Sequence, residues 1–324
     1  MAKHGDVRLT CEAFQRACRF LEAEARPLER SLYAFRFADG ASDSVHEALA
    51  RFTNEDGGFG HALEPDVRTP SSSSLATALG LKILDEIGVL ASDPLVRRAV
   101  DWLISTYDVS GKVWRAVARD TNDEPHAPWW HDADGSLDRT FDGFRIIPRA
   151  LIVALLHRFA KPIDWLQGLT ESTVRYVEQL DSLGGGGGSD LEYVVYLAQT
   201  DLLPENHKRR LIARIRATIP QVIVRNPADW SSYCITPLRA VPSPDSIGAD
   251  LIAAELDANL AFLIGQQSAD GAWDPTWTFD YAADMASART EWRGILTLEA
   301  LTVLQAFGRI DGGQKLPTPV APSS

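Results

Sequence analysis

Phe262-Leu263-Ile264-Gly265-Gln266-Gln267-Ser268-Ala269-Asp270-Gly271-Ala272-Trp273 decides how this 324-residue chain is read. An apolar helix runs through a glutamine into a glycine turn that a large aromatic closes. Two looser copies lie upstream. Trp102-Leu103 leads to Tyr107, Gly111 and Trp114, with one added residue, and Ala48-Leu49 leads to Thr53 and Asp56-Gly57-Gly58-Phe59. A unit that cannot bury its own apolar face stacks on copies of itself, so three copies imply a repeat architecture.

Working outward, helical periodicity dominates and strand alternation is almost absent. The pattern predicts helices near 9–25, 28–37, 43–53, 73–87, 94–107, 146–160, 170–182, 189–201, 205–217, 249–266 and 289–307. Stretches such as Leu75 to Leu81 and Leu151 to Leu156 are apolar almost all round, as buried helices are. Segments 94–107, 170–182 and 205–217 are amphipathic. Apolar and amphipathic helices in alternation predict an all-α fold, an (α/α)5–6 barrel or toroid of inner and outer helices. Residues 1–312 are expected to form one domain, with the helices of 1–40 packed outside the barrel and 313–324 a disordered tail. Gly184 to Gly188 falls where the repeat places a turn between an outer and an inner helix. Segments 108–145, 220–248 and 268–288 break the pattern and are long for connections, which points to function.

Residues 262 to 273 resemble the QW motif of the squalene-hopene and oxidosqualene cyclases, and Asp56 to Gly60 is similar to the glycine turns of protein prenyltransferase β-subunits. The resemblance to this α/α-toroid superfamily implies a central cavity and chemistry on an isoprenoid. In the motif itself, Gln267 is expected to cap a helix end and Trp273 to stack on the next unit. The resemblance also shows departures. Where the cyclases carry Asp-x-Asp-Asp, this chain reads Asp120-Thr121-Asn122-Asp123, and an amide cannot protonate an alkene. No Asp-Asp-x-x-Asp is present, and Cys234 is the single cysteine of the downstream half, so neither magnesium-driven ionisation nor a prenyltransferase zinc set is expected. The sequence reading therefore assigns no metal and no cofactor.

Composition narrows the classes. Apolar residues make up 45% and charged residues 23%, an ordinary globular balance. The net charge of −12 disfavours a nucleic-acid partner. Three scattered cysteines, no apolar signal core and no membrane-length apolar window predict a cytoplasmic protein without an integral membrane segment. The expected partner is a small apolar substrate, with a homodimer left open.

Four loops carry the candidate chemistry. His61, Glu64 and Asp66 lie within six residues at the entrance to a buried helix, where they could supply an acid, a base or metal ligands. The second group is Trp129, Trp130, His131, Asp132 and Asp134, whose indole faces suit a cationic or apolar group. Tyr233 marks the third and Trp273 with Trp277 the fourth. The structural alternatives are capping or pairing with Arg68 for the first, barrel plugging with solvated acids for the second, a degenerate repeat turn with packed aromatics for the third, and turn stability at Trp273 for the fourth.

The leading expectation is a terpenoid cyclase-like enzyme performing acid-initiated cyclisation or isomerisation. Glu64, Asp66, Asp132 or Asp134 would give the proton, His61 or His131 would relay it, and Trp129, Trp130, Trp273 and Trp277 would form the wall beside Tyr233. Paired carboxylates with tryptophan platforms fit a carbohydrate-active hydrolase or lyase as well. A non-catalytic lipid- or protein-binding scaffold is the third reading.

Overall fold

The computed structural model describes residues 7–111, 113–132, 148–279 and 285–312. Among these, twelve α-helices account for the regular structure, and extended pairing is limited to isolated bridges. The chain is all-α. The expected disordered tail, 313–324, lies outside the described residues. The helices divide between two compact units, one built from residues 1–48 and 223–324, the other from 49–222.

The second unit shows why the helices alternate in character. Its helices are α4 (Ser74–Glu86), α5 (Pro94–Ser105), α6 (Arg149–Phe159), α7 (Leu166–Gln179), α8 (Ser189–Gln199) and α9 (Glu205–Val222), following α3 (Ser42–Ala50) at the boundary. Ser73 starts α4 by accepting from the Ala76 amide, and Asp93 starts α5 by accepting from Leu95 and Val96. In α6, Ala150 to Leu156 are all buried, so every face of that stretch meets protein. Each buried Leu, Ile or Val there contributes about 1.5–3 kcal/mol over its exposed state. Helices α4, α6 and α8 pack in succession, and the amphipathic α5, α7 and α9 cover them. Between α7 and α8, Gly186, Gly187 and Gly188 make the expected turn.

Helices α4, α6 and α8 are nevertheless not apolar throughout. The Tyr196 hydroxyl on α8 donates to Asp85 on α4 at 2.5 Å, and Arg158 on α6 donates to the other oxygen at 2.8 Å. Burial, then the charge of Asp85, holds the Tyr196 phenol well above its ordinary range, so it stays a donor. One carboxylate thus ties three successive helices.

On the amphipathic layer, Glu171 of α7 accepts from His207 at 2.8 Å and Arg210 at 3.1 Å, and Glu178 accepts from Arg210 at 2.6 Å. The His207 and Arg210 hydrogen bonds lower the Glu171 carboxyl from 4.5 to about 2. A carboxyl more acidic when folded adds stability above its unfolded pKa, and that stability is lost as pH falls through the folded value. The melting temperature is expected to drop between about pH 4.5 and about pH 2, with Glu171→Gln flattening this limb. An identical acid limb in the variant would contradict the assignment.

The first unit holds α1 (Cys11–Glu24), α2 (Pro27–Phe37), α10 (Pro237–Ala240), α11 (Ala253–Gly265) and α12 (Ala286–Ala306). Its first and last described segments meet: the Leu9 amide donates to the Arg309 carbonyl at 2.7 Å and the Asp311 amide to the Leu9 carbonyl at 2.9 Å. Helices α1 and α2 both pack on α12.

The repeat is visible at the level of single hydrogen bonds. The Phe59 amide donates to Thr77 of α4 at 3.0 Å, and the Trp273 amide donates to Thr297 of α12 at 3.0 Å. Gly57 lies against the Arg98 carbonyl of α5, as Gly271 lies against the Arg16 carbonyl of α1. Helix α1 therefore stands to α12 as α5 stands to α4, although the sequence separates that pair by the length of the chain. The closing indoles agree too: Trp114 donates to the Leu103 carbonyl at 2.7 Å and Trp273 to Leu263 at 2.8 Å. Gln267 departs from the expected helix-end cap. Its amide donates to the Ala13 carbonyl of α1 at 2.9 Å and to Gly271 at 3.0 Å, fastening the turn to the neighbouring helix.

Both threonines are fully buried. Thr77→Val and Thr297→Val each leave a buried amide unpaired and are expected to cost about 1–3 kcal/mol. Urea denaturation of each variant measures this, and two losses below about 0.5 kcal/mol, the range of ordinary surface changes, would contradict the equivalence.

Candidate functional site

The loop from α3 to α4 folds back in two steps. Asn54 to Phe59 make the glycine turn, with the Asp56 carboxylate accepting from the Gly58 amide at 2.9 Å. His61 and Ala62 follow with φ of 53° and 59°, two successive left-handed residues that are not glycine. Such backbone costs about 1–3 kcal/mol per residue and persists where surrounding contacts impose it. Here the continuing segment is clamped to the loop after α5. The Arg68 amide donates to Pro125 at 3.0 Å, the Ala127 amide donates to the Asp66 carbonyl at 2.8 Å, and Val67 bridges His126.

This clamp joins the first two candidate groups. Asp66 is buried, at 4% exposure, while Glu64 is half-buried and His61 is exposed. His61 Nε2 lies 2.8 Å from the Asn54 side-chain oxygen. Asp132 pairs with Arg115 at 2.8 Å, and Asn122 grips its backbone through both peptide groups, at 2.8 and 3.0 Å. That grip is the role of the asparagine at the centre of Asp120 to Asp123. Trp130 is buried, whereas Trp129 is 40% exposed beside the exposed His131. Asp134 lies outside the described residues.

The other candidates belong to the first unit. Trp273 is buried with its indole N–H on the Leu263 carbonyl, a packing position. Tyr233, 60% exposed, meets Trp277 edge-on at 6.0 Å, and Trp277 packs against Trp292 at 5.1 Å and on the Phe279, Met285 and Ala288 cluster.

A cleft in the second unit is lined by residues that the sequence placed in a glycine turn (Asp56), a repeat copy (Trp102 and Trp114) and the departure from the acid motif (Asp120). It has a volume of about 700 Å³ and opens between the start of α4, the end of α5 and the segment 114–120. Ser72 donates to Asp56 at 2.8 Å and the Trp102 indole donates to the other Asp56 oxygen at 2.9 Å. Ser71 donates to Asp120 at 2.6 Å, and Thr69 to its second oxygen at 3.1 Å. Two carboxylates are therefore held by adjacent serines on one wall of the cleft. Arg115, paired with Asp132, belongs to the same lining and joins the cleft to the 126–132 segment. The serine run Ser71 to Ser74 is the sequence signal for this wall, since four hydroxyls exceed what one helix cap uses.

A second cleft, about 520 Å³, lies beside the equivalent turn of the first unit. There Asp270 takes two hydrogen bonds from Arg293, at 2.7 and 2.9 Å, and Arg293 also pairs with Asp274 at 2.8 Å. The Arg293 hydrogen bond holds the Asp270 carboxyl below its ordinary range. An ion-pair network lines that copy, while the other copy presents an indole and hydroxyls.

Among the described residues no helix is long and apolar enough to cross a membrane, and no group of three or more His, Cys, Asp or Glu forms a metal set. No protein-family model matches the chain, and no curated protein matches it.

Proposed function

We propose that the chain is a carbohydrate-active enzyme, a hydrolase or lyase, whose ligand occupies the cleft of the second unit. The carrying observation is the pair Asp56 and Asp120 on adjacent serines beside Trp102 in an open, hydroxyl-lined cleft. Convergent polar groups orient a polyhydroxylated ligand, and an indole supplies a flat face. A carboxyl group is what glycosidic bond cleavage uses as general acid or base. Asp56 fixes the Trp102 indole, so its part is to position the platform. Asp120, held by two hydroxyls that can rotate away, is the acid or base.

The α/α toroid belongs to this proposal. Its support is the succession α4, α6, α8 under α5, α7, α9, together with the place of α1 beside α12 as an outer helix of the repeat.

A second reading, acid-initiated chemistry on an isoprenoid, draws on Asp66, buried beneath a strained loop that is clamped to the segment carrying Trp129. Ligand-observed NMR on the full chain separates the two, using a panel of mono- and oligosaccharides against a panel of linear prenyl alcohols and diphosphates. Saccharide binding lost in Trp102→Ala supports the first. Prenyl binding that survives Trp102→Ala but changes in Asp66→Asn replaces it with the second, and binding of neither overturns both.

A further inference from the structure

His126 and His131 face one another in the segment that the Asp132–Arg115 pair ties to the cleft wall. Nδ1 of His126 lies 2.7 Å from the Glu124 carbonyl oxygen, and its Nε2 lies 3.0 Å from Nδ1 of His131. The ring planes differ by 6° and the centroids are 5.2 Å apart. With nitrogens 3.0 Å apart and centroids at 5.2 Å, both nitrogens fall close to the line joining the centroids. The rings therefore meet edge to edge, nearly in one plane, with a lone-pair direction along the contact. This is an in-plane N–H···N hydrogen bond, not a stack.

The tautomers follow from the heavy-atom contacts. A carbonyl oxygen only accepts, so His126 carries its hydrogen on Nδ1. The Nε2 of neutral His126 is then an acceptor, and the shared hydrogen belongs to Nδ1 of His131. Neutral His131 is left with its lone pair on Nε2, on an exposed ring.

Both rings stand on a fixed backbone. The Ala127 amide is bound to Asp66, the Trp130 amide donates to Ala127 at 2.9 Å, and the His131 amide donates to Pro128 at 3.2 Å. Asn122 grips the next residue, Asp132, whose carboxylate pairs with Arg115 of the cleft wall.

We propose that His126 and His131 form a directed proton-accepting dyad, in which Nε2 of the exposed His131 ring takes a proton from the hydroxyl group of a ligand or a water molecule. The hydroxyl O–H bond breaks and leaves its electron pair on oxygen, while a new N–H bond forms at Nε2. The resulting imidazolium keeps its Nδ1–H bond to His126. His126 is a positioning residue: it fixes the tautomer of the base through the other ring nitrogen, as the third member of a nucleophile–base constellation does. The ligand class is a hydroxyl-bearing molecule, water included, so the dyad stands apart from the saccharide reading.

Long-range ¹H–¹⁵N correlation of the imidazole nitrogens in the labelled full chain, at a pH where both rings are neutral, tests the assignment. The expected result is a lone-pair nitrogen at Nε2 of both histidines and N–H at both Nδ1 atoms. In His126→Ala the His131 ring shifts toward the Nε2–H form. Diethyl pyrocarbonate, mapped by mass spectrometry, is expected to modify His131 several-fold faster than His126. A hydrogen on Nε2 of wild-type His131, or equal modification of the two rings, would overturn the proposal, and both readouts use the wild-type chain should the variant not fold.

Discussion

Gly271→Val is expected to lower the unfolding free energy by about 4 kcal/mol, combining a left-handed β-branched residue with overpacking. The position leaves no relief. Gly271 has φ of 101°, and a Cβ there would sit 2.4 Å from the Arg16 carbonyl carbon and 2.5 Å from its oxygen. These are backbone atoms of α1, so no side chain can swing aside. The Gln267 bond to the Ala13 carbonyl spans that same approach. Equilibrium urea unfolding measures the effect. A change below about 1 kcal/mol, ordinary for a point substitution, would mean that α1 does not seat on this turn.

Asp120→Asn is expected to reduce turnover of a saccharide substrate by about 10²–10⁴-fold, the usual contribution of a general acid or base. The substitution keeps the volume of the side chain and one oxygen to accept from Thr69 or Ser71, so the wall of the cleft is retained. What it removes is the carboxyl group that gives or takes a proton. Affinity should stay within about tenfold, or about 1.4 kcal/mol, because binding rests on Trp102 and the serines. Asp56→Asn should act differently, weakening binding by releasing the Trp102 indole. A variant Asp120→Asn retaining more than a tenth of the wild-type rate contradicts the role assigned to this carboxylate.

The helices were legible because their boundaries are written locally. Ser73, Asp93 and the apolar run through Leu151 to Leu156 place α4, α5 and α6 within a few residues of expectation. Two boundaries moved for physical reasons. Helix α7 begins at Leu166, four residues before the predicted start, with Gly168 inside it and no side-chain cap to announce the beginning. Helix α9 runs through Pro220, which sits in its last turns, where losing one amide interrupts little that follows. The short α10 escaped notice inside the segment 220–248, although Thr236 caps it by accepting from the Arg239 amide.

The cleft was not legible in the same way. Asp56, Ser71 with Ser72, Trp102 and Asp120 come from four separate places in the chain, and only the seating of α5 beside the glycine turn brings them together. Motif reading gave Asp56 to the turn and Asp120 to an incomplete acid sequence. It singled out Asp66, Asp132 and His131 instead, which the clamp between 66–68 and 125–127 does join into one region. The relation of α1 to α12 was equally hidden, since no local signal reports that a first helix completes a hairpin with the last.

The indole N–H resonance of Trp102 is the most direct probe of the central claim. Titration of the ¹⁵N-labelled chain with the best-binding saccharide should shift that resonance with a saturable dependence, while the Trp273 indole, bonded to Leu263 in the packed turn, stays in place. A Trp102 resonance that does not move under saturating ligand would place the ligand elsewhere and contradict the assignment of the cleft.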